Sequence, residues 1–135
     1  MNKEEQIKKS NYQLIEKGDL HAVEKFFTPN YVAHAGDKDY KGHDFIKRFD
    51  KQIRTALPDI SLMKVEILVN AGNTIAWQRT LNGTHKANMM GIPPSEKKII
   101  WNEMVVSRFE DDKIAEEWVV SELAGQLLLK QPKLK

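Results

Sequence analysis

The chain contains no cysteine. That excludes a disulfide, a thiolate nucleophile and any metal site built on sulfur. It is compatible with a reducing compartment, and a cytoplasmic location is the expectation. There is no apolar run near the roughly 20 residues that span a bilayer, and the charged opening Met1–Gln6 lacks the apolar core of a secretory signal, so no membrane association is expected. Dinucleotide and phosphate loops of the Gly-x-Gly-x-x-Gly or P-loop kind are missing, as is a Gly-x-Ser-x-Gly nucleophile elbow. The four histidines show no His-Glu-x-x-His spacing, so no metal site is expected. No basic stripe interleaved with aromatics exists to hold nucleic acid.

What remains is a chain of 135 residues, 41% hydrophobic and 30% charged, with a net charge of +2. This is the composition of one globular domain, expected over residues 1–130 and followed by a basic, disordered tail at 131–135. No repeat or long linker divides it.

The first half reads helical. Ile7, Asn11, Leu14 and Ile15 share one helix face, Gly18 supplies a stop, and Asp19 can cap a second helix carrying Leu20, Val23 and Phe27. Thr28-Pro29 ends it. A loop through Tyr31, His34 and Gly36 leads to a third helix from about His43 to Ala56, striped by Phe45, Phe49 and Ile53 with Ile46 beside it. From Ile60 the period changes to two. Val65, Ile67 and Val69 alternate, Ala71-Gly72-Asn73 turns the chain, and strands follow over Thr74–Thr84, Lys98–Phe109 and Ile114–Ser121. A short helix over Leu123–Leu129 closes the chain. Three helices followed by an antiparallel meander predict an α+β fold with helices packed on one face of a curved, mostly antiparallel sheet.

Two stretches carry a resemblance. Gly83-Thr84-His85, followed by Gly91-Ile92-Pro93-Pro94, and Arg108-Phe109-Glu110-Asp111-Asp112-Lys113-Ile114-Ala115-Glu116-Glu117-Trp118 resemble motifs of the SnoaL-like polyketide cyclases. Gly18-Asp19, Tyr31–His34 and Pro58-Asp59 fit the layout of that family, so the likeness covers nearly the whole chain. It implies the cone of the nuclear-transport-factor-2-like (NTF2-like) superfamily. It also implies an intramolecular aldol condensation driven by an acidic side chain near the end of the last strand, with no cofactor. That position is Glu122 here, where the family more often has Asp. The family's histidine on the penultimate strand is replaced by Val105.

Glu122 has two readings. If alternation holds through Ile114, Glu116, Trp118, Val120 and Glu122 on a concave face, an apolar wall raises its pKa towards that of a useful base. Alternatively it lies in the first turn of the closing helix and favours the dipole. Glu103 shares a face with Trp101 and Val105, either solvated or in a polar pocket. A lone loop histidine is usually exposed or locally hydrogen-bonded, whereas the resemblance puts His34 and His85 near the pocket mouth as donors or shuttles. Trp77, Trp101 and Trp118 are core residues or walls for a flat apolar ligand, and Arg79 is a pocket cation or a surface residue. The expected function is a cyclase or isomerase acting by acid–base chemistry on a small apolar carbonyl compound. The rivals are a non-catalytic binding module and a dimerising interaction domain. The resemblance also implies a homodimer through the outer sheet face.

Overall fold

The computed structural model describes residues 1–131. The disordered tail expected at 131–135 therefore lies, Gln131 apart, outside the described residues.

Asn2 opens the first helix, α1 (Lys3–Asn11). Its side chain accepts from the Glu5 N–H, and Glu4 and Glu5 occupy the turn where the helix dipole favours acids. The helix runs on into a single π-helical turn, Tyr12–Glu16, that buries Leu14 and Ile15. Gly18, at φ +63°, then reverses the chain in a conformation open to glycine without steric penalty. The second helix, α2 (Ala22–Phe26), is short.

Where the sequence suggests a loop, the structure forms a hairpin, β1 (Phe27–Ala35) and β2 (Lys38–Lys41). The alternation of β1 is weak as a signal because it is interrupted at Pro29, and its register shifts between Phe27 and Val32. The third helix, α3 (Gly42–Ala56), follows, then β3 (Ser61–Asn70), β4 (Thr74–Thr84), β5 (Lys98–Glu110), β6 (Lys113–Ser121) and α4 (Leu123–Leu129). The six strands make one sheet in the order β2-β1-β6-β5-β4-β3. Among the described residues only the β1–β6 pair is parallel. The α+β architecture, the three helices ahead of the meander and the short closing helix are as the sequence predicts.

Helices cover one face of the sheet. Ile7, Leu14, Val23 and Phe26 meet Tyr31, Ile75, Trp77, Val105 and Phe109 in one apolar cluster. Ile53, Leu57 and Leu127 meet Leu81, Ile99 and Trp101 in the other. The fit is close at Gly83, where an added Cβ would come within 3.0 Å of Leu57.

One irregularity decides which side chains face the helices. Phe109 pairs with Ile114 and Arg108 with Glu116, so Ala115 is an extra residue in β6. A bulge of this kind inverts the alternation beyond it. Ile114 and Ala115 are both buried, Glu117 is buried, and Trp118 is 42% exposed. Unbroken alternation predicts Glu116, Trp118 and Val120 on one face with Ile114, the inner one. The bulge moves them to the outer one.

Candidate active site

The inner face carries two polar groups of side chains. In the first, Glu103 on β5 sits opposite Arg79 on β4. Arg79 Nε donates to Glu103 Oε1 at 2.8 Å, its Nη2 lies 2.6 Å from the same oxygen, and its Nη1 donates to Asn11 Oδ1 at 2.7 Å. Glu103 Oε2 accepts from Ser121 Oγ at 2.6 Å and from Trp101 Nε1 at 3.3 Å. Burial alone would push this carboxyl up. The Arg79 charge and the donated hydrogen bonds outweigh burial and hold it below the usual carboxylate range.

In the second group, Glu117 accepts from Tyr31 Oη at 2.7 Å and from Ser107 Oγ, and Ser107 Oγ accepts from Trp77 Nε1 at 2.8 Å. Here burial prevails over the hydrogen bonds from Ser107 and Tyr31 and over the Arg79 charge, and the Glu117 carboxyl is raised. Arg79 also lies 5.6 Å from the Trp77 ring centroid. It keeps 18% of its side chain accessible.

Across from this face, α3 presents Asp50, only 4% exposed. Its Oδ2 is covered and has no hydrogen-bond partner among the described residues. Burial pushes its carboxyl up to about 6, against the opposing charges of Arg54 and Arg79. Asp50 lines a depression of about 420 Å³ together with Gly18, Leu20, Lys51, Arg54 and Thr55. Sequence patterning does not single Asp50 out, although one signal is available. Counted in helical steps from Ile46, it falls on the stripe that continues through Ile53 to Leu57, where an acid is out of place. A buried carboxyl with a raised pKa at the edge of an open depression is a candidate functional position.

The remaining expected site residues are scattered. Glu122 is exposed, and its Oε1 accepts from the Asn102 N–H at 2.9 Å while its own N–H donates to the Asn102 carbonyl at 3.0 Å. It therefore extends the β5–β6 ladder instead of facing the interior, and its side chain makes no helix cap. Glutamine at this position keeps the acceptor. Glu122→Gln should change stability by less than about 1 kcal/mol and leave any turnover within about twofold. A tenfold loss of turnover would return Glu122 to the chemistry.

Trp118 does not wall the interior. It stacks on His34 at 5.2 Å between ring centroids, on the outer face. His34 lies between Glu116 and Asp39, 2.6 Å from each, and these two partners raise its pKa. It borders a second, apolar depression of about 490 Å³ on that outer face, not the mouth beside Asp50. His85 is 0% exposed, its ring nitrogens are without partners among the described residues, and it lines neither depression. Glu103, Arg79, Trp77 and Trp101 are thus brought together on the inner face, whereas Glu122, His34, His85 and Trp118 are not.

Among the described residues no group of three or more His, Asp or Glu side chains could hold a metal ion, and no helix is long and apolar enough to cross a membrane.

Solved structures share this arrangement of helices and sheet. TsrD from Streptomyces laurentii matches with a TM-score of 0.81 and 19% identity, over 94% of this chain and 97% of its own. IdmH from Streptomyces antibioticus, described as a candidate polyketide cyclase, matches with a TM-score of 0.76 and 23% identity, over 94% and 96%. AclR from Streptomyces galilaeus, described as a candidate hydroxylase, matches with a TM-score of 0.72 and 26% identity, over 88% and 87%. No curated protein matches this chain. The family profile of the SnoaL-like polyketide cyclases matches residues 5–129, nearly the whole length, and the chain belongs to that family.

Proposed function

We propose that the protein is an acid–base enzyme of the aldol-cyclase or isomerase type, working without a cofactor on a small, largely apolar carbonyl compound. The observation that supports this reading is Asp50, a carboxyl that burial pushes up to about 6, beside two arginines at the edge of an open depression. As a base, its carboxylate takes a proton from the carbon next to a carbonyl. The C–H electron pair moves onto the carbonyl oxygen, and the Arg79 charge favours the enolate so formed. The protonated Asp50 then returns its proton. In an isomerase it goes to carbon. In an aldol closure it goes to the alkoxide that forms when the enolate carbon attacks a second carbonyl. Glu103 is a positioning residue for Arg79, and Trp77 and Trp101 stiffen the wall behind it.

Deuterium exchange tests this reading. Wild type should accelerate exchange at the α-carbon of flat cyclic ketones, 1-indanone first, in D2O above the buffer rate, and Asp50→Asn should not. The same rate with and without protein would sink it. A non-catalytic binding module draws on a different observation: Glu103 is fully occupied by its partners, and Val105 is buried where the cyclases carry a histidine. Indanone binding without exchange would favour that alternative.

The outer sheet face supports a homodimer. Leu68, Met104, Trp118 and Val120 are all exposed there, Val120 by 73%. Apolar patches of that kind are uncommon on monomers, and a stable interface needs at least ~1,000 Å². Sedimentation at micromolar concentration should show twice the 15.6 kDa chain mass, and Val120→Glu should shift it to the monomer. A single-chain species alone in wild type refutes the dimer.

A further inference from the structure

We propose that the mouth beside Asp50 is a subsite for an anionic tail, so that the compound handled there is a carbonyl compound ending in a carboxylate. The inference builds on the reading of Asp50 only for where the carbonyl lies. The subsite itself stands on Arg54, Lys51 and Gly18.

Arg54 is fixed at one end and free at the other. Its Nη1 donates to the Ile15 carbonyl in the π-helical turn, a contact that anchors the guanidinium to the neighbouring element. Its Nε and Nη2 make no hydrogen bond to any described residue. A guanidinium offers a planar fork whose geometry suits both oxygens of a carboxylate, and anchoring one nitrogen removes much of the ordering cost.

Gly18 makes the placement possible. An added Cβ would come within 2.8 Å of Arg54 Nε and 2.9 Å of its Cζ, so the guanidinium lies directly against a bare α-carbon. Any side chain at residue 18 would push the group away. The sequence marks Gly18 only as a helix stop, and this close approach is a second reason for glycine there.

The charge balance favours an anion. Lys51 and Arg54 line the depression, and neither forms an ion pair with a described residue. Asp50 is the acid among the lining residues, so the lining is cationic overall even when Asp50 is ionised. The side chain of Leu20 gives an apolar wall, and about 420 Å³ holds a compound of one ring and a short chain. With the tail on Arg54, the rest of such a molecule lies beside Asp50, which lines the same depression.

The test compares 3-benzoylpropionate with its neutral amide by calorimetric titration at pH 7.5 and low salt. Wild type should bind the acid about tenfold or more tightly than the amide, as a charge-assisted pair implies. Arg54→Gln should bring the two within about threefold. Because that change also removes the Ile15 contact, Lys51→Gln serves as a variant on an exposed side chain and should lower affinity for the acid alone by a few-fold. Equal affinities in wild type, a preference that survives Arg54→Gln, or no binding of either probe at millimolar concentration would each overturn the subsite. Asp50→Asn separates the two readings. If the preference for the acid persists in that variant while ketone exchange is the same in wild type and variant, the subsite stands and the proton-transfer role falls.

Discussion

Asp50→Asn should lower turnover by about 10²–10⁴-fold, the usual contribution of a positioned proton-transfer group, while making the folded protein more stable at neutral pH. The two effects share one cause. Folding carries the Asp50 carboxyl from its ordinary 3.8 to about 6, chiefly by burial. The folded state therefore binds this proton more tightly than the unfolded chain does. That contribution to stability is complete below pH 3.8 and is lost as pH rises through about 6. Above that, the ionised carboxylate costs on the order of 1–3 kcal/mol, the lower end applying because the neighbouring depression admits water. Asparagine removes the cost while keeping shape.

Urea titrations should accordingly find the variant stabilised at pH 8 and unchanged or weaker at pH 4. In wild type, kcat/KM should rise with pH through about 6 and then level, because the base acts as its anion. The variant should lose that limb. A variant with full turnover, or with the same stability difference at both pH values, would remove Asp50 from the chemistry.

Arg79→Met should be the most damaging single change on the inner face. It strands the Glu103 carboxylate, which is buried and, among the described residues, otherwise holds only the hydrogen bonds from Ser121 and Trp101. Breaking one side of a buried pair typically costs about 3–5 kcal/mol. In a domain of this size that lowers Tm by roughly 10 °C or more. Asn11 Oδ1 loses its donor as well.

The pH dependence should change sign. In wild type the depressed Glu103 carboxyl contributes stability that is present above its unfolded value and lost as pH falls through the folded one. Without Arg79, burial dominates and raises that carboxyl, so the variant should regain stability as pH is lowered towards 5. Adding Glu103→Gln to Arg79→Met should recover part of the loss at pH 7. A loss below about 1 kcal/mol, or a double variant no better than the single one, would show that the pair holds little of the fold together.

Much of this architecture is legible in residue order. The stripe of α3, the turn at Ala71-Gly72-Asn73 and the β-rich stretches that follow are local patterns, so α3, β4, β5, β6 and α4 fall close to where the sequence predicts them. The facing of Glu103 follows from parity with Trp101, since β5 runs from that residue without interruption on its inner side. The hairpin of β1 and β2 is not legible, because β1 is stabilised by its parallel pairing with β6, more than 80 residues away in the register of His34 with Trp118.

The class of the fold, the family and the supply of carboxylates, arginines and indoles on β4 and β5 are legible in residue order. Those follow from short-range periodicity and from motifs read in order. Which acid lies at the depression is set by packing in three dimensions. A single extra residue, Ala115, turned Trp118 outward, and with it the face on which Glu122 was expected. Folding α3 over the inner face then covered Asp50 and brought it near Arg79. A bulge is set by how two strands register against each other, and a pKa by what surrounds a group in space. Neither is a property of any short stretch of chain.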